Sequence, residues 1–505
     1  MLNPVIEPTE AAGCVLSLHS RWRELGYESG ILTEPILPFL NPSYFLKFIL
    51  FLTYASKSQL GVDPTVTRFI YECEGSVNNI RYRFVVGGRT YETVGPPISE
   101  QRAYFIVSRS TRVWRVRRVE LDGSLSKEEY VLKDVWLLDD TPLEHEIQNR
   151  VRERLGDDVW LLAKRYFLTI TAEEVVRVDG EDDVTPLPAR RHFRTRDNQT
   201  PLPRSPVNKV TVKLYRRKHV RVVFKEVCAS VYELVDGGSL GRCLTDTVQG
   251  LKYLHQAGFV HRDISAGNCL YYEGRGIVAD LEYCREYRSS SVHPKTGTPD
   301  FMATEYQLGK WFFTPLKSSK IPRSDDILYT RHLWFSVHYF HDLESVFWIY
   351  LWFIHFMVPS AHELNLDTLQ WSRDRYFHHP ISGSQYRSSL IMNEDGPDEL
   401  EQDLSSIYTH QSHTPLLKPI SLCKEISSAY KQLQRTEPEK LKGPDNVDFW
   451  RFKKESFAPG LYQTLTDSFQ SLSGAYPELP MERVRLGEGQ SAENSCDSRT
   501  GSSSR

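Results

Sequence analysis

His261-Arg262-Asp263-Ile264-Ser265-Ala266-Gly267-Asn268 decides how the rest of the chain is read. An Asp and an Asn stand five residues apart behind a His and an Arg, and a second Asp follows twelve residues after the Asn, in Gly276-Ile277-Val278-Ala279-Asp280. That spacing suits a short hairpin. Transfer of a phosphoryl group needs such a set: one carboxylate to orient the attacking hydroxyl, and an amide with another carboxylate to hold Mg²⁺ against the phosphates of ATP. A lone His-Arg-Asp in a loop would say little. Asp263, Asn268 and Asp280 in this order and at this spacing point to phosphoryl transfer.

The flanking sequence agrees. Leu240, Leu244, Val248, Leu251 and Leu254 recur at steps of three and four, the apolar stripe of a helix buried along one side. Gly258 stands where such a helix would be capped. Downstream, Lys295-Thr296-Gly297-Thr298-Pro299-Asp300-Phe301-Met302-Ala303-Thr304-Glu305 resembles the end of a kinase activation segment. His341-Asp342-Leu343-Glu344-Ser345 then opens a strongly apolar run to Met357. On these motifs the chain resembles the fungal-type protein kinase domain family, over residues 40–475 and most densely from Arg221 to Trp352. The resemblance implies an α+β, two-lobed protein-kinase-like fold with a β-rich small lobe and a helical large lobe. Periodicity alone implies only a mixed α/β enzyme.

The expected organisation is an N-terminal extension over 1–98, a small lobe over 99–235, a large lobe over 236–475 and a disordered tail over 476–505, rich in Ser, Gly and Glu. Within the small lobe, 178–207 is acidic, then Pro- and Arg-rich, and reads as a flexible insertion. Tyr44 to Ala55 reads as a helix, and Arg81 to Val86, Ala103 to Val107, Val113 to Val119 and Tyr130 to Trp136 as strands, with a helix from about Pro142.

The resemblance also assigns roles residue by residue. Lys133, inside Tyr130-Val131-Leu132-Lys133-Asp134-Val135-Trp136, takes the place of the lysine that reaches the α- and β-phosphates. Glu144 would pair with it, with Glu146 as the alternative. Chain order makes Phe224-Lys225-Glu226-Val227-Cys228 the hinge, where Glu226 and Cys228 would meet adenine through the backbone. The phosphate-covering loop falls on Ser108 to Trp114, with Ser108, Ser110 and Val113 as nucleotide contacts and serines where the family shows glycines. Arg109 and Arg112 are placed to compensate electrostatically. The metal-binding triplet is Asp280-Leu281-Glu282, and Ser265 stands where serine/threonine kinases have a lysine. Ala303-Thr304-Glu305 keeps the segment's Glu and loses its Pro. In the implied mechanism Asp263 orients the acceptor hydroxyl, Asn268 and Asp280 bind Mg²⁺, and Lys133, fixed by Glu144, neutralises phosphate charge. Arg262 has two readings, a partner for phosphorylated Thr296 or Ser289 to Ser291, or a donor to backbone carbonyls. His261 is a support beneath the loop. Asp342 is a helix N-cap or a buried anchor for that loop.

Composition narrows the classes further. A net charge of −3 over 505 residues excludes a wholesale polyanion binder. Eight scattered cysteines without a C-x-x-C pair argue against a zinc site and a secreted disulfide framework. The start lacks a basic segment followed by an apolar one, so no signal peptide is expected. The apolar runs Tyr44 to Tyr54 and Val346 to Val358 fall short of the ~20 residues a membrane span needs. A soluble, intracellular protein, cytoplasmic or nuclear, is therefore expected, without a membrane partner. Between Ala189 and Lys225 there are 12 Lys or Arg against one Asp, but strands and solvated faces explain the charge better than nucleic acid does. Trp334, Trp348 and Trp352 read as core.

Three classes of function remain. The leading one is an ATP- and Mg²⁺-dependent protein kinase acting on Ser and Thr of protein substrates, favoured by Thr298 in Gly297-Thr298-Pro299. A small-molecule phosphotransferase of the aminoglycoside type is the second. A pseudokinase scaffold, suggested by Ser108 and Ser110, is the third.

Overall fold

Alternation of inward apolar and outward charged side chains builds the first part of the structure. In Trp114-Arg115-Val116, Trp114 and Val116 are buried while Arg115 between them faces out, the period of two that a half-buried strand requires. The computed structural model describes residues 42–56, 62–71, 79–100, 109–185, 216–287, 297–309, 311–313, 337–359, 364–377, 384–393, 395–442, 448–475 and 480–484. These fall into two compact units, one up to His145 together with Thr169–Val227, the other Glu146–Leu168 together with the residues from Cys228 onward.

In the first unit, helix α1 (Pro42–Tyr54) precedes strands β1 (Val66–Tyr71), β2 (Asn79–Val86), β3 (Arg89–Thr93), β4 (Ser99–Glu100), β5 (Arg112–Val119) and β6 (Leu125–Leu138). After the excursion into the second unit come β7 (Ile170–Val175), β8 (Arg177–Val178), β9 (Glu181–Asp182) and β10 (Arg217–Phe224). One antiparallel sheet takes the order β1-β2-β3-β5-β6-β10-β7, with β4 on β5. The sheet curls, since the Gly87 N–H between β2 and β3 donates to Glu174 of β7 at 2.8 Å. Phe84, Val86, Tyr91, Trp114, Val116, Tyr130, Leu132 and Val223 fill its interior.

Two expectations shift here. Residues 66–93, assigned to an extension ahead of the small lobe, contribute three strands to the same sheet as β5 and β6. Residues 178–185, read as the start of a flexible insertion, form a hairpin on the Asp179-Gly180 turn, whose two positive φ values (54° and 86°) suit the tight turn of a two-residue hairpin. Asp-Gly is a turn signal, and the acidic composition masked it. Residues 186–207 lie outside the described residues, as does the expected strand at 103–107.

A buried charge network locks the sheet. Arg221 has no exposed surface. Its guanidinium donates to Asp134 at 3.0 Å and to Asp63 and Thr65, residues 158 and 156 positions away in the chain. His219 lies flat on Trp136 and bridges Asp134 (2.7 Å) and Asp183 (3.0 Å). Carboxylates only accept, so both ring nitrogens donate and the imidazole is charged. Burial by itself would lower its pKa, but the two carboxylates outweigh that and raise it to about 9. A raised pKa contributes stability that is complete below the unfolded value of about 6.5 and lost as pH climbs through about 9. Thermal melting of the native chain is therefore expected to lose up to about 3 kcal/mol between pH 6.5 and 9.5 relative to His219→Gln. Parallel melting curves for the two proteins would refute the assignment.

The second unit opens with α2 (Glu144–Leu155, from its third residue) and α3 (Asp157–Ala163). β11 (Ala229–Ser230), α4 (Gly237–Gln256), β12 (Phe259–Val260), β13 (Cys269–Tyr272), β14 (Arg275–Val278) and β15 (Arg285–Glu286) surround the His-Arg-Asp stretch. Beyond them lie α5 (Thr304–Leu308), α6 (Tyr339–Phe356), β16 (Met357–Pro359), α7 (Leu366–Tyr376), α8 (Gln385–Met392), α9 (Gly396–Ile407), α10 (Thr414–Leu417), α11 (Leu422–Gln434), a hairpin of β17 (Pro438–Lys442) and β18 (Asp448–Phe452), α12 (Gly460–Ala475) and β19 (Met481–Arg483). Every residue of α6 is buried, as expected of a helix apolar all round. Trp348 and Trp352 pack inside this core; Trp334 lies outside the described residues. No helix among the described residues is long and apolar enough to cross a membrane.

Candidate functional site

Helix α4 carries the predicted Leu stripe and is capped by Asp236, whose carboxylate accepts from Ser239 N at 2.6 Å. It ends at Gly258, and the chain turns through β12 into His261. The β13–β14 ladder, with Cys269 opposite Val278, then places Asn268 and Asp280 at the same end of one hairpin. Ala279 N donates to Asn268 O at 2.9 Å, tying those two ends together. Gly276 lets β14 press on α4, because a Cβ there would collide with the backbone of Cys243.

The loop between is held by one buried side chain. Asp342, on the first turn of α6, accepts from His261 N (2.7 Å), Arg262 N (2.9 Å) and His255 Nε2 (2.9 Å). Burial would push its carboxyl up, but the hydrogen bond and charge of His255 hold it below the usual range. Of the two readings offered for Asp342, the structure selects the anchor: the N-cap of α6 is His338. His261 is fully buried, and its Nδ1 accepts from Asp263 N at 3.3 Å. The ring proton must then sit on Nε2, which donates to Ala279 O at 3.0 Å. Burial lowers the pKa of this imidazole, consistent with a neutral support.

Two positions depart from ordinary backbone geometry. Arg262 (φ 73°) and Asp280 (φ 66°) are both left-handed without being glycine. Such residues cost of order 1 kcal/mol or more and persist where surrounding bonds over-determine them. The Asp342 bonds do this for Arg262. Asn268 Nδ2 donates to the Asp263 carbonyl at 2.8 Å, which fixes the amide and leaves Oδ1 for other partners. Asn268 and Asp280 thus supply hard oxygen donors of the kind Mg²⁺ takes, and Asp263 is 9% exposed beside them in sequence. Leu281 is buried in the core, and Glu282 is buried next to it.

The segment that follows is clamped by residues whose roles sequence reading missed. Glu344 Oε1 accepts from Thr304 N and Oγ1, both at 2.8 Å, and from Trp348 Nε1, while its Oε2 accepts from Tyr430. Arg387, 1% exposed, donates to the carbonyls of Pro299, Asp300 and Met302 and lies 4.0 Å over the Trp348 ring. Burial lowers its pKa to about 10, still charged at neutral pH. Nothing in Gln385-Tyr386-Arg387-Ser388 signals this, because the acceptors are main-chain carbonyls over 80 residues upstream. Glu305 accepts from Phe312 N, Phe313 N and His341 Nε2 (3.0 Å).

Glu305, His338 and His341 also bring three possible metal-ligand atoms within 4.8 Å of one another. His341 Nδ1, however, accepts from His338 N at 3.1 Å. Its proton therefore occupies Nε2, the nitrogen aimed at Glu305. His341 thus pairs with Glu305 and holds it under the segment, while both ring nitrogens of His338 are buried without a hydrogen-bond partner.

In the first unit, Lys133 lies centrally on β6, opposite Val113 of β5 and Val222 of β10, and is buried. Glu144 is buried while Glu146 is exposed, as two residues of helical rotation dictate. Glu173 caps that helix, accepting from Glu144 N (2.9 Å) and His145 N (2.8 Å). β4 pairs with β5 through Glu100 and Arg112. Ser110, two residues before β5, has φ 43°, a conformation natural to glycine; Ser108 lies outside the described residues. Glu226 has its carboxylate engaged by Thr169 N (2.9 Å) and Oγ1 (2.8 Å). Cys228, half-buried and not in a disulfide, is the residue at which the chain enters the second unit. Thr296 and Ser289 to Ser291, the suggested partners of Arg262, lie outside the described residues.

Comparison with known sequences points the same way. The sequence model described as fungal protein kinase matches residues 29–354. The serine/threonine-protein kinase shk1/pak1 of Schizosaccharomyces pombe is 30% identical over 131 residues, covering 21% of this chain and 20% of that protein. The serine/threonine-protein kinase STE20 of Candida glabrata is 33% identical over 75 residues, 14% of this chain and 8% of that one. The dual serine/threonine and tyrosine protein kinase of Gallus gallus is 41% identical over 69 residues, 13% of this chain and 7% of the other. The chain thus spans a fifth or less of the length of each of these relatives.

Proposed function

The chain belongs to the fungal protein kinase family, and on that premise we propose that it transfers the γ-phosphoryl group of ATP to Ser and Thr hydroxyls of proteins. The observation that carries the reading is the anchored loop. Asp263 and Asn268 are joined by the amide–carbonyl bond, and Asp280 stands at the same end of the hairpin that Asn268 begins.

In this reading Asp263 accepts the hydrogen bond of the acceptor hydroxyl, aligns its oxygen with the phosphorus and takes the proton as the new bond forms. Asn268 and Asp280 would hold Mg²⁺, which when bound neutralises charge on the phosphate oxygens. Lys133 adds a positive charge to the phosphates, with Glu144 as its partner. Ser108, Ser110 and Val113 flank the phosphates, and the main chain at Glu226 and Cys228 meets adenine. Little covalent work falls to the protein: positioning and charge do most of it. The named serine/threonine kinases among the relatives and Thr298 support hydroxyl acceptors of that class.

The test is a transfer assay on the purified full chain with ATP, Mg²⁺ and casein or histone as acceptor. Phosphoserine and phosphothreonine are expected, abolished by EDTA and reduced on the order of 10²-fold or more in Asp280→Asn. Phosphate found only on an added aminoglycoside, or on nothing, overturns the proposal.

A further inference from the structure

We propose that the exposed aromatic face of α7 and α8, centred on Trp371 and Tyr386, docks an Arg- or Lys-rich segment of the protein acceptor, away from the hydroxyl that receives the phosphate. This rests on the reading of the site as a protein kinase. Trp371 is 52% exposed, and Tyr386 is exposed as well. Large aromatic side chains left open to water in this way mark interaction surfaces, where Trp and Tyr carry a large share of the binding energy.

The two rings are held as a pair from below. The guanidinium of Arg375 lies 4.3 Å from the centre of the Trp371 ring and 4.5 Å from that of Tyr386. Arg375 is mostly buried and donates to Asp403 at 2.9 Å and to Glu399 at 3.4 Å. Three helices therefore meet at one point: α7 brings Trp371 and Arg375, α8 brings Tyr386, and α9 brings the two carboxylates. The single cation under the rings faces two carboxylates, so the charge at this point stays negative. The outer ring faces remain open to a second cation.

Charge names the occupant. Asp367 and Asp374 stand four residues before and three after Trp371, on the same face of α7, and both are exposed. Asp398, Glu399 and Glu401 add exposed carboxylates on α9. Among the described residues from 364 to 408 no Lys or Arg is exposed: Arg373 and Arg387 are buried, and Arg375 is engaged as above. An indole bordered by carboxylates attracts a guanidinium or ammonium both through its π face and through the surrounding field. Nucleic acid and anionic lipid are repelled by the same field. The position suits a protein acceptor. Arg387, next to Tyr386 in the chain, holds the carbonyls of Pro299, Asp300 and Met302. A segment docked on Tyr386 thus lies one residue from the clamp on the stretch that the kinase reading assigns to the acceptor.

The experiment follows binding of fluorescein-labelled nona-arginine to the purified full chain by fluorescence anisotropy at low and high salt. The native chain is expected to bind, Trp371→Ala about tenfold more weakly, and Trp371→Phe, which keeps a π face, close to native. Asp367→Asn combined with Asp374→Asn is expected to weaken binding and to flatten its dependence on salt. In the transfer assay, kcat/KM on histone, a basic acceptor, relative to casein, an acidic one, is expected to fall about tenfold in Trp371→Ala, through KM. If Trp371→Ala does not fold, the exposed pair Asp367→Asn and Asp374→Asn decides. Peptide bound equally by the native chain and the variants, or a histone-to-casein ratio that Trp371→Ala leaves unchanged, overturns this inference alone. Transfer to neither acceptor overturns it together with the kinase reading.

Discussion

Asp263→Asn is expected to lower the turnover of phosphoryl transfer by about 10³-fold, within the range that loss of a positioned general base produces, while leaving the melting temperature almost unchanged. The substitution keeps the size of the side chain and removes its charge. It also keeps the main-chain carbonyl that Asn268 Nδ2 uses and the N–H that His261 Nδ1 accepts. These main-chain bonds hold the loop in place, while the charge that would take the hydroxyl proton is lost. Because the phosphates are assigned to other residues, KM for ATP should hold while kcat falls. Steady-state kinetics on a protein acceptor, paired with thermal melting, separates these effects. Turnover within tenfold of native would remove Asp263 from the chemistry.

Asp342→Ala is expected to do the reverse, costing about 3–5 kcal/mol of stability and collapsing transfer as a consequence. The carboxylate satisfies two backbone N–H groups and the His255 N–H in a site shielded from water. Alanine leaves all three donors without an acceptor. It also releases Arg262 from the bonds that hold its left-handed conformation. Since the carboxyl pKa is lowered by folding, its contribution is present above the unfolded value near 3.8 and is lost only as pH falls below it. Chemical denaturation near neutral pH should therefore show the full cost. A loss below about 1 kcal/mol would mean that the loop is anchored elsewhere. Asp342 is a positioning residue, and the contrast with Asp263 is diagnostic: one variant melts early, the other melts normally and does not turn over.

Helix α4 with its Leu stripe, the hairpin from Asn268 to Asp280 and the strands around Trp114 and Lys133 all follow from periodicity and turn chemistry within a dozen residues. The small-lobe boundary at 98 missed β1 to β3, because nothing local to Val66–Thr93 states which sheet its strands will join. The hairpin at Asp179-Gly180 was legible from its dipeptide, yet the acidic composition of that stretch suggested a flexible insertion.

Sequence alone determined the chemistry on offer: a carboxylate, an amide and a second carboxylate in an order that suits phosphoryl transfer, set between a stripe-bearing helix and a hairpin. Tertiary structure alone decided which buried charges meet. Arg221 finds Asp63 across 158 positions, Arg387 finds the Met302 carbonyl across 85, and Asp342 finds the Arg262 N–H across 80. The physical reason is the range of the forces involved. Backbone preference and side-chain period act between near neighbours in the chain, whereas the cost of burying a charge is settled by whichever partner the folded core brings within hydrogen-bond distance.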